Sequence, residues 1–343
     1  MLAVDPLAPE HTWANALDEA VAVLRGGGLV AFPTETVYGL GGRALDPAAA
    51  ARIFAAKGRP HTHPLIVHVE GEADARPLSS HWGFRAQRLA RAFWPGPLTL
   101  VVPRAPSVPA VVAGGGASIA IRAPGHPVAR ALIRRLGEPI AAPSANRYQS
   151  ISPTLAEHVV KSLGDAVSLV LDAGPCEAGI ESTVVDVLGE ESDPPRVLRP
   201  GALGIAALRA IEPATLASAA VVAEDASRAS PGMDARHYAP HARLVIAPTR
   251  EETVAQARAH AARAGKGETV GIIVRGPASG VEGEARIDVR ALPDEPNAFA
   301  AALFATLHAL DDAGAKTIFV EAVPAGLEWW AVSDRLMRAS TPP

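Results

Sequence analysis

Short apolar runs alternate with amphipathic stretches through most of this chain, and the alternation breaks once, between residues 214 and 241. A chain of 343 residues exceeds what one hydrophobic core usually organises, so the break is expected to separate two domains. With 48% hydrophobic and 20% charged residues, both halves have the means to bury a core.

Before the break, Trp13, Leu17, Val21 and Leu24 recur at helical spacing behind a Thr12 cap, and Gly26 to Gly28 stop the helix. Leu29 to Phe32 reads as a buried strand running into Pro33 to Thr36, where the chain turns and exposes hydroxyls. Asp46 and Pro47 start a helix with Ile53 and Phe54 on its inner face, and Gly58 ends it, presenting Lys57 and Arg59 at its last turn. Strands are predicted at 65–68, 98–102, 119–122, 140–142, 169–171 and 183–187, with helices near 84–93, 127–136 and 154–162. This is a mixed α/β domain over residues 1–212, followed by a linker over 213–241. From 242 to 343, strands at 244–247, 270–274, 287–290 and 318–323 alternate with helices at 251–264, 297–312 and 327–339, which predicts a small Rossmann-like α/β domain.

The formal net charge of -4 argues against a general polyanion-binding surface, so any phosphate chemistry is expected to be local. Cys176 is the single cysteine, which excludes an internal disulfide framework and a multi-cysteine zinc site and suits a reducing compartment, the cytoplasm. No basic segment followed by an apolar one opens the sequence, and no 18 uncharged apolar residues run together, so neither a signal peptide nor a membrane span is expected.

Lys57 and Arg59, with His61, His63 and His68 close behind, form a cationic cluster at the exits of one helix and one strand. Arg offers a planar fork and Lys a mobile point charge, a combination that suits phosphate. A solvated basic turn is the alternative, and the histidines lack the neighbouring carboxylates or cysteines of a metal site. No P-loop follows Gly26 to Gly28, no G-x-G-x-x-G opens a helix, and no G-x-S-x-G is present. Ser144-Ala-Asn146, Ser152-Pro-Thr154, Glu181-Ser-Thr183 and Arg199-Pro-Gly201 all fall where predicted strands end. Singly each reads as a cap or turn; together, at the carboxyl ends of an open α/β sheet, they imply a polar cleft that accepts anions.

Taken in order, several segments resemble the YrdC-like family of threonylcarbamoyl-AMP synthases in its long, two-domain form. They are Pro33 to Gly41 (PTETVYGLG), Lys57 to Pro60 with Pro64 to His68, Trp94 to Leu100, and Ile119 to Pro127. Ala142 to Asn146 with Ser152 to Thr154, Gly179 to Asp186, Leu198 to Gly201, and Pro231 to Met233 with Arg236 to Pro240 complete the set. The resemblance implies a twisted mixed-sheet YrdC-like catalytic domain in which L-threonine and ATP lie side by side, and a linker that closes as a lid. Thr36, His68, Arg122, Ala142 and Ser182 fall on the family's L-threonine-binding positions. Arg59, His63, Ser118, Ser144, Ser152, Arg199 and Tyr238 fall on its ATP-binding positions, and Lys57, Arg59, Ser144 and Asn146 make up the catalytic group.

The implied reaction joins L-threonine, bicarbonate and ATP, with Mg2+ bound mainly through the ATP phosphates and no protein metal site. Its product passes to the tRNA threonylcarbamoyl-transfer machinery, with at most weak direct tRNA contact. The chain departs from the family pattern at His63, where Asn is expected, at Tyr148-Gln149 in place of Ser-Gly, at Ala173 in place of glycine, and at Asp234-Ala235 in place of a basic and an aromatic residue.

Overall fold

Helix α1 (Ala14–Arg25) buries Leu17, Ala20, Val21 and Leu24 along one face, the stripe that its periodicity requires. The chain enters it through a 3-10 turn at Glu10–Trp13 rather than from a Thr12 cap, because the Thr12 hydroxyl donates back to Pro9 O at 2.8 Å. The computed structural model describes residues 1–217, 234–265, 268–279, 281 and 286–342. The chain divides into two units, Met1–Tyr148 with Ser152–Met233 and Gln149–Ile151 with Asp234–Pro343. Among the described residues no helix is long and apolar enough to cross a membrane.

In the first unit the elements besides α1 are, in chain order, β1 (Leu2–Ala3), β2 (Val30–Phe32), β3 (Gly39–Arg43), α2 (Pro47–Lys57), β4 (Ile66–His68), α3 (Glu72–Ala75), α4 (Phe84–Phe93), β5 (Leu98–Pro103) and β6 (Ser118–Arg122). They continue with α5 (Pro127–Leu136), β7 (Ile140–Ala141), α6 (Ala156–Leu163), β8 (Leu169–Asp172), β9 (Thr183–Asp186), β10 (Arg196–Arg199), α7 (Ile205–Ile211) and β11 (Leu216–Ala217). The strands form one mixed sheet in the order β1-β8-β2-β3-β7-β4-β6-β5-β9-β10-β11. Trp13, Leu17 and Leu24 near α1 join Val128, Leu132 and Leu136 of α5 over Val30, Phe32 and Leu171 of the sheet. Each such leucine contributes roughly 1.5–3 kcal/mol by leaving water. Ile66, Val101, Ala120, Val184 and Leu198 make a second cluster on the central strands.

Strand β3 escapes a reading by β-propensity because it is rich in glycine, and packing explains why. A Cβ at Gly41 would lie 2.7 Å from the Phe32 ring, so the strand can lie against β2 only without a side chain there. Thr34 and Thr36, expected to be exposed at the preceding turn, are instead buried. The Thr34 hydroxyl donates to Val37 O at 2.6 Å and accepts from the N–H groups of Thr36 and Val37, so the turn satisfies its own polar groups.

The second unit contains β12 (Arg243–Ala247), α8 (Arg250–Arg263), β13 (Thr269–Arg275), β14 (Ile287–Leu292), α9 (Pro296–Asp312), β15 (Ala315–Glu321) and α10 (Trp330–Ser340). Among the described residues its strands are all parallel, in the order β12-β15-β13-β14. Thr249 caps α8, and the Glu295 carboxylate caps α9 by accepting from the N–H groups of Asn297 and Ala298. Val254, Ala257, Ile272, Val274, Ile287 and Phe319 form its core.

Residues 234–241, read from sequence as the end of the linker, pack within this second unit. The Arg338 guanidinium donates to Asp234 O and pairs with Asp334 at 2.9 Å. The Tyr238 ring stacks on Phe304 with centroids 5.7 Å apart and lies 4.8 Å below the Arg335 guanidinium carbon. Within the same unit Ala239 N donates to Gln149 O at 2.9 Å. Gln149 and Tyr238, flanking that bond, both hold left-handed backbone angles, φ 65° and φ 60°. The Pro231 to Met233 motif and residues 218–233 of the expected lid lie outside the described residues.

Candidate active site

Strand register brings the central side chains together. His68 at the end of β4 is the partner of Arg122 at the end of parallel β6, and Arg122 is the partner of Thr99 on antiparallel β5. Register partners share a face, so an imidazole, a guanidinium and a hydroxyl line up across three strands. Ser182 precedes β9, which runs parallel to β5, and its hydroxyl sits 2.8 Å from that of Thr99. Thr36 comes in from the turn after β2, where its hydroxyl accepts from Arg122 Nη1 at 2.8 Å. Four of the five residues expected to bind L-threonine are thus linked by contact or register: Thr36, His68, Arg122 and Ser182. The fifth, Ala142, follows β7 and is held through its backbone N–H to Ile66 O at 2.9 Å.

Burial sets the charges in this group. His68 is buried against the edge of Phe32, with Nδ1 3.2 Å from Ile66 O. That carbonyl can only accept, so Nδ1 carries the proton and Nε2 presents a lone pair. Desolvation, reinforced by the Arg122 charge, pushes the His68 pKa down to about 3, so the ring is neutral. Arg122 is buried too, with Nη2 2.7 Å from Glu35 Oε1 and Nε donating to Gly96 O at 3.3 Å. Burial would raise the Glu35 carboxyl, but the charge of Arg122 holds it below the usual range.

Lys57 is not displayed as a free cation. The left-handed turn at Gly58 ends α2 with Lys57 only 2% exposed, and Nζ donates to Ser144 O and Asn146 O at 2.5 Å each. Asn146 Oδ1 is 3.3 Å from the same nitrogen. Burial, then the nearby Arg59, lowers the Lys57 pKa well below its ordinary value. Its place in the structure is as the post that holds the Ser144 to Asn146 loop.

Among the residues expected at the nucleotide, Arg59 is buried and donates from Nη2 to Pro64 O at 3.2 Å. His63 is buried edge-on to Tyr148, with ring centroids 5.4 Å apart. Ser152 is buried with its hydroxyl 2.5 Å from Glu181 Oε1. Arg199, at the end of β10, donates from Nη2 to Ser182 O at 2.9 Å and to Ser182 Oγ at 3.1 Å, tying this group to the threonine positions. Ser118 starts β6, the end opposite Arg122, about 13 Å away along the strand. Tyr238 belongs to the second unit.

Three residues that carry this arrangement have no assigned role in the sequence reading: Glu35, Thr99 and Glu181. Thr99 interrupts the apolar run Leu98 to Val102 yet is fully buried, and a hydroxyl inside such a run is the signal that could have found it. Glu35 and Glu181 stand beside assigned residues, and only three-dimensional pairing with Arg122 and Ser152 gives them a role.

Similarity to known proteins covers nearly the whole chain. The Sua5/YciO/YrdC family model, described as "Telomere recombination", matches residues 22–201. A second model, described as "Threonylcarbamoyl-AMP synthase, C-terminal domain", matches residues 205–341. The chain is 39% identical over 324 residues to the threonylcarbamoyl-AMP synthase of Pyrococcus abyssi, covering 94% of this chain and 93% of that protein. It is 36% identical to the threonylcarbamoyl-AMP synthase of Bacillus subtilis, covering 94% of this chain and 92% of that one. A crystal structure of P. abyssi Sua5 complexed with L-threonine superposes with a TM-score of 0.87 at 38% identity, covering 99% of this chain and 97% of that chain.

Proposed function

Since the chain belongs to the threonylcarbamoyl-AMP synthase family, we propose that it condenses L-threonine, bicarbonate and ATP to L-threonylcarbamoyl-AMP and pyrophosphate. It is an enzyme of the nucleotidyltransferase type. The adenylate supplies the tRNA threonylcarbamoyl-transfer machinery, and the setting is cytoplasmic. The observation that carries this reading is the buried constellation of Arg122, neutral His68, Thr36 and Ser182 at the strand ends, which suits a small hydroxylated amino acid.

In the proposed reaction the threonine amine combines with bicarbonate to form a carbamate and water. A carbamate oxygen then bonds to the α-phosphorus as the bond from that phosphorus to the pyrophosphate oxygen breaks. No protein nucleophile is needed, and the protein contributes by positioning and by charge aimed at the phosphates. Arg122 receives the α-carboxylate, while the lone pair of His68 Nε2 and the hydroxyls of Thr36 and Ser182 receive the polar hydrogens of the amino acid. Arg59 and Arg199, with His63, Ser118, Ser144 and Ser152, hold the nucleotide, and Lys57 fixes the loop bearing Ser144 and Asn146. Glu181 is bound to the Ser152 hydroxyl, and Glu35 lies beside the fixed Arg122 cation, which would repel a metal ion there. That donor set fits Mg2+ arriving with the triphosphate and held by phosphate and water oxygens. When bound, the ion neutralises phosphate charge.

Titration calorimetry tests the substrate assignment. Arg122→Ala is expected to abolish L-threonine binding and leave ATP binding within about threefold. Unchanged threonine affinity in that variant overturns the site.

A further inference from the structure

The ion pair at the base of the site is incomplete. Arg122 Nη2 and Glu35 Oε1 are 2.7 Å apart, with side chains only 4% and 14% exposed. Arg122 Nη2, Glu35 Oε1 and Glu35 Oε2 are buried and make no well-angled hydrogen bond, although Arg122 and the Gly125 backbone lie close enough to act on the carboxylate. A buried polar atom in that state is costly, and a native fold keeps one where a ligand completes it. Three such atoms meet here, two on a carboxylate and one on a guanidinium, at the residues where the strand-end constellation converges.

The surroundings hold Glu35 in this place. Ala178 N donates to Glu35 O at 2.8 Å, which anchors its backbone. The carboxylate lies over Gly125, where even a Cβ would come within 3.5 Å of Oε1. Thr36, the next residue, is already bound to Arg122 Nη1, so the two charges are presented side by side. Arg122 keeps the Glu35 carboxyl below its usual pKa range against the effect of burial, so it meets a ligand as an anion.

A cation and an anion fixed side by side largely cancel each other's pull on a simple carboxylic acid. Such a ligand would bring its carboxylate toward Glu35 without compensation, a like-charge contact in a poorly solvated space. An amino-acid zwitterion satisfies both groups at once. We infer that Glu35 is a substrate-binding residue that receives the α-ammonium group while Arg122 receives the α-carboxylate, so that the pair selects an amino acid over the corresponding hydroxy acid. This rests on reading the cleft as the L-threonine site.

Three ligands separate the charges: L-threonine, (R)-3-hydroxybutyrate, which lacks the ammonium, and (R)-1-amino-2-propanol, which lacks the carboxylate. Their affinities are measured by calorimetry, or by competition where binding is weak, on wild type, Glu35→Gln and Glu35→Asp, each checked for an unchanged melting curve. Glu35→Gln is expected to weaken L-threonine and the amino alcohol about 10- to 100-fold and to leave 3-hydroxybutyrate unchanged or tighter. Glu35→Asp, which keeps the charge, is expected to recover part of the loss. An equal loss of L-threonine and 3-hydroxybutyrate in Glu35→Gln overturns the inference, because Glu35 would then only hold Arg122 in place. Undiminished threonine affinity overturns it as well. Wild-type protein that binds no L-threonine overturns the assignment of the site itself, and the inference with it.

Discussion

The ammonium of Lys57 lies 2.5 Å from the carbonyl oxygens of both Ser144 and Asn146, two residues of one loop held by one buried cation. Replacing it leaves two acceptors without their donor, the one on Asn146 buried and the one on Ser144 partly so. Lys57→Met is therefore expected to destabilise the protein by about 1–3 kcal/mol for each stranded carbonyl and to lower turnover at least tenfold. Thermal melts and steady-state kinetics check this together. An unchanged melt with lost turnover would return Lys57 to a direct role on phosphate.

Gly201 follows the Arg199-Pro200 turn and crosses the backbone of Glu181 and Ser182. A Cβ there would lie 2.5 Å from the Ser182 carbonyl carbon and would run into Glu181 O. Backbone cannot swing aside as a flexible side chain can. Gly201→Ala should cost about 1–3 kcal/mol by overpacking and raise the L-threonine KM by displacing Ser182. Urea unfolding and kinetics would detect both effects, and a neutral variant would show that the segment yields freely.

His68 makes stability depend on acid. Its pKa is about 3 in the fold against 6.5 for the free side chain, the shift arising from burial first and Arg122 second. Below pH 6.5 the unfolded chain binds a proton that the folded chain refuses. The stabilisation is thus fully present above pH 6.5 and is lost progressively as pH falls toward 3. Between pH 7 and pH 5 this one group accounts for about 2 kcal/mol. Urea melts at the two pH values should show a loss smaller by that amount in His68→Gln than in wild type; equal losses would mean that His68 already titrates normally.

Tyr238 is buried in the second unit between Phe304 and the Arg335 guanidinium. Tyr238→Ala removes the ring and should destabilise that unit by about 3–5 kcal/mol. Tyr238→Phe keeps the stack and should stay within about 1 kcal/mol of wild type, as calorimetric unfolding would show.

Legibility in the sequence followed the physics of each element. Apolar runs ending in polar groups announced β4 and β6, and with them His68 and Arg122, because a run of Ile and Val has few ways to be buried; Ser182 instead precedes β9. Strand β3 was hidden because its glycines serve a close approach to Phe32 that no local pattern records. Lys57 read as a mobile cation for phosphate, since a lysine is almost never buried without partners, and the partners that bury it are carbonyls about ninety residues away. Glu35 stood in a recognisable motif, but its meaning depends on facing Arg122, a relation fixed by strand register. Residues 234–241 have no periodicity to read; they are held instead by Arg335, Arg338 and Phe304.

The most direct test of the proposed function is pyrophosphate release by the purified protein given ATP, magnesium and bicarbonate, with and without L-threonine, alongside mass detection of the adenylate. Release that requires L-threonine, with one threonylcarbamoyl-AMP formed per pyrophosphate, is the expected result. Release indifferent to L-threonine, or none from protein that binds both substrates, would contradict it.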